Sequence, residues 1–183
     1  MIMTTEELRR YMTTDEDDQG LEARLSALEL LIRSYTNNNF QHRGYRRMAD
    51  AMGNTIMMEA LQPFDVGDTV QITRSEYNDG LYTVTEANDS TITVKENIPH
   101  EEDDFYVTKV VYPMDVKMGV VNLMKWEMTN RDKVGVASES ISRHSVTYFD
   151  MTGDNSIMGY PKALMGFLKP YMKARFGQGV RLC

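Results

Sequence analysis

The strongest constraint on the fold is a segment that is apolar on two sides of one helix. The helix predicted for Met114–Asn130 follows Pro113, whose missing N–H costs nothing at a helix start. One stripe at helical spacing consists of Met114, Met118, Val121, Met124 and Met128, and a second of Val116, Val120 and Leu123, with Trp126 between them. A helix with two apolar faces needs cover on both. We therefore expect it at the centre of its domain or against a neighbouring subunit.

The segment behind this helix is predicted to be extended. Residues 138–150 alternate polar residues with β-branched and aromatic ones, among them Ile141, Val146 and Tyr148. This alternation is typical of a strand or of a hairpin arm.

A small all-β unit is predicted at 63–111. Short alternating runs at 66–72, 81–84, 91–94 and 105–111 are separated by the turn signals Asn78-Asp79-Gly80 and Asn88-Asp89-Ser90. Four or five short strands at regular spacing favour a small barrel, and the start at Val66-Gly67-Asp68 is similar to that of SH3-like barrels. The acids at 101–104 are expected to form a hydrated loop.

The remaining segments, 1–62 and 112–183, are predicted to form a helical domain. Further helices are expected at 4–12, 20–35 and 162–173, and Asn37 is expected to end the second of them in a left-handed conformation. The basic stretch 41–47 is interpreted as a solvated loop, and 48–61 as a short helix or a linker. The predicted fold class is therefore α+β: a small helical bundle with a long central helix and an extended arm, with the barrel-like unit inserted into it.

Composition excludes several function classes. The net charge is −7 and the pI about 5.0, which argues against non-specific nucleic-acid binding but not against a protein that surrounds DNA without sticking to it. No apolar run is long enough to span a bilayer. The single cysteine, Cys183, excludes a disulfide framework and indicates synthesis in a reducing cytoplasm.

No catalytic or metal-binding constellation is predicted. His42, His100 and His144 lie in different segments, and none has a zinc-type partner at helical spacing. Residues Ser140, Ser142, His144 and Asp150 are near one another in sequence, but cross-strand pairing of the hydroxyls is a better explanation than catalysis. The acids at 15–18 lack the Glu that a calcium loop needs at its twelfth position. No cofactor is expected.

The order of these elements resembles the head–tail connector (adaptor or head-completion) proteins of tailed bacteriophages and their prophage relatives. The most specific similarities are the run Ser-Glu-Ser-Ile at 138–141, the run Ser-Val-Thr-Tyr at 145–148 and the last helix with Leu168 and Tyr171. The similarity covers nearly the whole chain, although only some members have the β unit. His144 departs from the Gly or Asp expected at the tip of the arm.

The resemblance implies a virion protein at the head–tail interface, without enzyme activity. Such proteins form a ring, typically dodecameric, that binds the portal protein, receives a stopper or tail-completion protein, and extends the channel through which genomic double-stranded DNA passes without specific binding. A contact with a neighbouring subunit is expected for Met118, Trp126, Glu139, Ile141, Arg143, His144, Val146 and Tyr148. Docking to the portal is expected for the C-terminal residues Lys173, Arg175, Phe176 and Arg181. No membrane partner is expected.

Two alternatives remain open. The chain could be a tail-completion ring protein, or a monomeric binding module whose barrel captures a peptide or nucleic acid. An exposed aromatic stripe of Tyr77, Tyr82, Phe105 and Tyr106, interleaved with basic residues, would favour the binding module, and the acids around these residues speak against it.

Overall fold

The chain divides into two compact units in a computed structural model. The structure describes residues 1–59, 64–130 and 155–175, and the backbone alone of 138–141 and 144–147. The barrel unit comprises Met1–Thr4 and Asn39–Tyr112, and the helical unit comprises Thr5–Asn38 and Pro113–Cys183.

The barrel unit is a closed antiparallel barrel of six strands. Its strands are β1 (Gln41–Met52), β2 (Thr55–Met57), β3 (Thr69–Thr73), β4 (Gly80–Ala87), β5 (Thr91–Val94) and β6 (Glu102–Val110), in the order β1-β2-β5-β4-β3-β6. Closure pairs β1 with β6 on one side and with β2 on the other. Strand β1 is the longest strand of the barrel and changes register after Gln41 and after Ala49. These irregularities bend the strand, so that it can pair with both β2 and β6.

Alternating side chains of these strands fill the interior of the barrel. The buried set includes Ala49, Ala51, Ile56, Val70, Ile72, Val84, Ile92, Val94, Phe105 and Val107. The residues between them point outwards, since successive side chains of a strand lie on opposite faces. The outer wall of β1, β6 and β3 is therefore made of the intervening polar and aromatic residues.

In the helical unit, the described residues form three α-helices, two antiparallel strand pairs and a 3-10 helix. Its elements are α1 (Thr5–Arg9), α2 (Asp18–Thr36), α3 (Met114–Asn130), β7 (Ser138–Ile141), β8 (His144–Thr147), β9 (Ser156–Ile157), β10 (Tyr160–Pro161) and the 3-10 helix Lys162–Tyr171. Strands β7 and β8 pair only with each other, as do β9 and β10, within the part of the chain that the structure describes. In the same part, no helix combines the length and apolar character needed to cross a bilayer.

Local capping fixes both ends of α2. The Asp17 carboxylate accepts a hydrogen bond from the Gly20 amide at 2.7 Å, as expected of an N-cap aspartate. Asn37 ends the helix with φ 49° and ψ 35°, which confirms the predicted left-handed stop. Further along, Arg24 pairs with Glu16 and Glu127, and the Tyr160 hydroxyl donates to Glu127 at 2.8 Å, so α2, α3 and β10 share one polar cluster.

A glycine allows α3 to approach the 3-10 helix closely. Gly119 is buried, and a Cβ at this position would overlap the ring of Phe167. On the same helix Val116, Val120, Val121, Leu123 and Met124 are buried, whereas Met118, Trp126 and Met128 are half-buried and Met114 is exposed. Helix α3 begins and ends at the predicted residues.

The predicted fold class is wrong. Only about 35% of the described residues are helical, and the main regular element is a closed six-stranded barrel rather than a helical bundle with a small inserted unit. The stretch 41–47, expected to be a loop, and most of the described part of 48–61, expected to be a short helix or a linker, instead form β1 (41–52), a turn and β2 (55–57). The all-β unit thus begins at Asn39 instead of residue 63.

The missed strands lacked the usual sequence signal. The outward residues of β1 include Arg46 and Asp50, and its inward residues include Ala49 and Ala51, so few large β-branched side chains mark the alternation. The acids Glu102, Asp103 and Asp104 were expected in a loop but form the start of β6. They were missed for the same reason, since acidic side chains do not mark a strand.

Candidate functional site

The outer wall of the barrel unit brings arginines and tyrosines from three strands together. Arg46 lies opposite Thr108 and Met48 opposite Tyr106 across β1 and β6. On the other side of β6, Thr73 lies opposite Tyr106, and Arg74 follows directly. Side chains that face each other across a ladder share one face of the sheet, so these residues form one surface.

Two guanidinium groups flank one tyrosine ring on this surface. The guanidinium carbon of Arg46 lies 5.7 Å from the centroid of the Tyr106 ring, and that of Arg74 lies 5.4 Å from it. Both distances are within the range of cation–π attraction. Among the described residues, neither arginine forms a salt bridge.

Hydrogen bonds hold Arg46 in place. Its Nε donates to the Thr108 hydroxyl at 3.1 Å and its Nη2 donates to the Gln41 side chain at 3.2 Å. Gln41 in turn donates to Gln71 at 3.1 Å, so the network spans β1, β6 and β3. An arginine fixed in this way loses less side-chain entropy when a partner binds.

Exposed apolar groups adjoin the arginines. Met48 is 55% exposed and Tyr45 is 39% exposed. Tyr45 stacks on His42 at 4.3 Å between ring centroids, and the Lys109 ammonium lies 5.8 Å from the Tyr45 ring. Lys109 also pairs with Asp68 at 2.5 Å. We define the arginine–tyrosine face as Arg46, Met48, Arg74 and Tyr106.

An acidic edge lies at one end of the same barrel. The Glu102 carboxylate accepts hydrogen bonds from the Ser75 hydroxyl at 2.5 Å, the Glu76 amide at 2.5 Å and the Asn78 side chain at 3.0 Å. Asn78 also exchanges hydrogen bonds with the backbone of His100. The loop that follows β3 and the loop that precedes β6 are therefore joined.

The hydrogen bonds set the ionisation of Glu102. Desolvation by burial acts to raise its pKa, but the hydrogen bonds from Ser75, the backbone amides and Asn78 together outweigh it, so the pKa is lowered from the ordinary value. Four exposed carboxylates surround this anchor, namely Glu76, Asp79, Glu101 and Asp103, which we define as the acidic edge. Tyr77 is 59% exposed beside them and packs on His100.

Charge is segregated in this unit. Residues 39–112 contain six Lys and Arg against thirteen Asp and Glu. Five of the six cations lie on β1, on β6 or directly after β3, namely Arg43, Arg46, Arg47, Arg74 and Lys109. Two of these five, Arg46 and Arg74, lie on the arginine–tyrosine face, which therefore carries two positive charges on an otherwise acidic unit.

A cavity of about 520 Å³ opens beside this surface, where β1 and β2 separate. Its charged lining residues are Arg47, Asp50, Glu59 and Asp104. The Arg47 Nε is buried and has no hydrogen-bond partner, while its Nη1 donates to the Gly44 and Arg46 carbonyls. No group of three or more His, Cys, Asp or Glu residues is placed to hold a metal ion in the described part of the chain.

The exposed aromatic stripe that would have favoured the binding-module alternative is not present. Phe105 is fully buried and Tyr82 is 7% exposed, so both belong to the barrel core, and only Tyr77 and Tyr106 of the four reach the surface. Burial raises the pKa of Tyr82, and its hydroxyl donates to the Asn78 carbonyl at 2.8 Å. The four aromatic residues do not share one face, because Phe105 points into the barrel and its neighbour Tyr106 points out of it.

The residues predicted for a subunit contact fall into two places. Met118 and Trp126 are half-buried on α3, and the Trp126 ring lies 5.5 Å from that of Tyr160. In the hairpin, Glu139 pairs with Val146 and Ile141 with His144, so His144 begins a strand instead of forming a turn. Arg143 and Tyr148 lie outside the described residues.

The residues predicted to dock on the portal begin in a segment that is tied to α2. The Lys173 amide donates to the Thr36 carbonyl and the Arg175 guanidinium to the Ser34 carbonyl, both at 2.8 Å. Side chains of Asn37 and Asn38 donate to the carbonyls of Ala174 and Tyr171. These contacts hold 171–175 at the C-terminal end of α2. Phe176 and Arg181 lie outside the described residues.

Sequence reasoning missed the arginine–tyrosine face because its members are far apart along the chain. The available signal was the run Arg43-Gly44-Tyr45-Arg46-Arg47, which was interpreted as a solvated loop. No known protein-family model matches the chain, and no curated protein is significantly similar to it.

Proposed function

We propose that this chain is a structural virion protein of a tailed bacteriophage that forms a ring between the portal and the tail or stopper. In this function the ring extends the DNA channel and completes the head for tail attachment. The protein has a structural role and no catalytic one in this proposal. Its partners are further copies of itself, the portal protein and the stopper or tail-completion protein.

The observation that supports assembly most directly is the β7–β8 hairpin. It forms a two-stranded sheet of its own, with four residue pairs from Ser138–Thr147 to Ile141–His144. Two-stranded hairpins are marginally stable alone in water, and their edges are templates for another strand. Pairing or packing against a neighbouring subunit would complete this sheet.

Two further features agree with a ring subunit. Met118 and Trp126 leave part of α3 uncovered, and large, partly exposed apolar residues are typical of subunit contacts. The hydrogen bonds that hold residues 171–175, which we call the clamp, fix the chain directly before the C-terminal residues proposed to dock on the portal.

The test is the native mass of the purified protein, alone and mixed with the portal protein of the same phage. We expect a closed ring in at least one of the two samples. A monomer in both samples would contradict the proposal and favour the binding-module alternative.

A further inference from the structure

We propose that the arginine–tyrosine face binds the acidic edge of a second copy of this chain, so that the barrel units form an intersubunit contact of their own. The proposal rests on the proposed function only in that it supposes self-assembly. It assigns a role to the barrel unit, whereas the hairpin and the tail that support the proposed function belong to the helical unit.

The composition of the face suits a protein partner. Arg, Tyr and Met are the residues enriched in the cores of protein interfaces, and here they occur together on one wall. Tyr106 lies between two guanidinium groups, and Met48 provides apolar area beside them. The hydrogen bonds of Arg46 to Thr108 and Gln41 fix the surface before a partner arrives.

The charge of the unit favours an acidic protein surface over nucleic acid. A polyanion that lies along a protein needs cations along its whole path. Here Glu76 follows Arg74 by two residues and Asp104 precedes Tyr106 by two, in a unit with thirteen acids and six cations. A strand of nucleic acid that crossed the face would therefore meet these carboxylates, whereas a folded partner presents its charges at fixed positions.

The same chain supplies a matching surface. The acidic edge groups Glu76 and Asp79 on the loop after β3 with Glu101 and Asp103 around the start of β6, and the Glu102 network joins these two segments. The face and the edge consist of different residues of one barrel unit, so each copy can offer both, as a ring of heterologous contacts requires. Opposite charges would also set the orientation of docking.

The experiment uses two charge-reversal variants of the full chain. The face variant contains Arg46→Glu and Arg74→Glu, and the edge variant contains Glu101→Lys and Asp103→Lys. Alone, each variant places like charges against each other at the contact, so we expect the wild-type oligomer to disappear from its native mass spectrum. Mixed in equal amounts, they restore opposite charges at every contact, and we expect an oligomer in which the two variants alternate.

Controls separate the possible failures. Lys95→Glu reverses a cation outside the face and should assemble like the wild type. Circular dichroism melts verify folding, and Arg74→Glu alone replaces the double variant if the latter is unstable, because Arg74 contributes no hydrogen bond to the Arg46 network.

Each outcome decides one question. If the wild type assembles and both variants assemble equally well, the contact is overturned while the proposed function stands. If the wild type does not assemble alone or with the portal, both are overturned. If a fluorescein-labelled DNA strand, single or duplex, binds the wild type and the face variant loses this binding while it still assembles, the face belongs to nucleic acid and the inference is wrong.

Discussion

Glu102 shows at the residue scale how one carboxylate organises a surface. Its hydrogen bonds lower its pKa, so the stabilisation is present above the ordinary glutamate pKa and is lost as the pH falls through the lowered value. We expect Glu102→Gln to reduce the free energy of unfolding at neutral pH by about 1 kcal/mol, since the group is partly exposed. In the variant, the free energy of unfolding should also no longer show the loss that protonation of Glu102 causes in the wild type at acidic pH. Urea titrations followed by circular dichroism between neutral and acidic pH measure both effects.

The matched control is Glu101→Gln, a neighbouring acid outside the hydrogen-bond network. It should keep the acid dependence of the wild type. Equal acid dependence in Glu102→Gln and the wild type would show that the loops are held by other contacts.

At the element scale, the packing of α3 depends on Gly119. A methyl group there would meet the Phe167 ring, so the 3-10 helix would have to move. We expect Gly119→Ala to destabilise the protein by about 1–3 kcal/mol, the usual cost of overpacking, although alanine favours a helix by about 1 kcal/mol. Thermal and urea unfolding of the variant measure the loss.

Gly166→Ala is the control for this prediction, because a Cβ at Gly166 in the 3-10 helix meets nothing within 4 Å. It should unfold like the wild type. Combining Gly119→Ala with Phe167→Leu should recover part of the lost stability, and a Gly119→Ala protein as stable as the wild type would contradict the packing described here.

The same scale shows what sequence patterns can predict. Helix α3 and strand β5 were predicted at their observed bounds because large apolar residues and strong terminators mark them. Strand β1 was missed because its inward residues include alanines and its outward ones arginines. The arginine–tyrosine face was beyond sequence reasoning, since Arg46 and Tyr106 meet only through the pairing of β1 with β6.

At the scale of the whole molecule, deletion of the tail tests binding to the portal, and fluorescence of the single tryptophan tests the contact between subunits. We expect deletion of 176–183 to leave the unfolding midpoint unchanged, because the clamp at 171–175 remains, and to abolish binding to the portal. Sedimentation of the truncated protein with the portal tests this, and normal co-sedimentation would refute it. Deletion of 171–183 should, in contrast, lower the midpoint, since it removes the hydrogen bonds to α2.

Trp126, half-buried on α3, reports on the subunit contact. If a neighbouring subunit covers it, its fluorescence maximum should shift to shorter wavelength when the oligomer forms. An unchanged maximum across a transition from monomer to ring would place Trp126 outside the contact.

The clamp at the end of α2 has a mechanical consequence. The carbonyls of Ser34 and Thr36 accept hydrogen bonds from residues 171–175, and the side chains of Asn37 and Asn38 donate to them, so this segment is held at the end of the helix. A pull on residues 176–183 would act on these hydrogen bonds before it reached the 3-10 helix. Tension from a partner attached to the tail would thus pass into α2, the longest helix of the described chain.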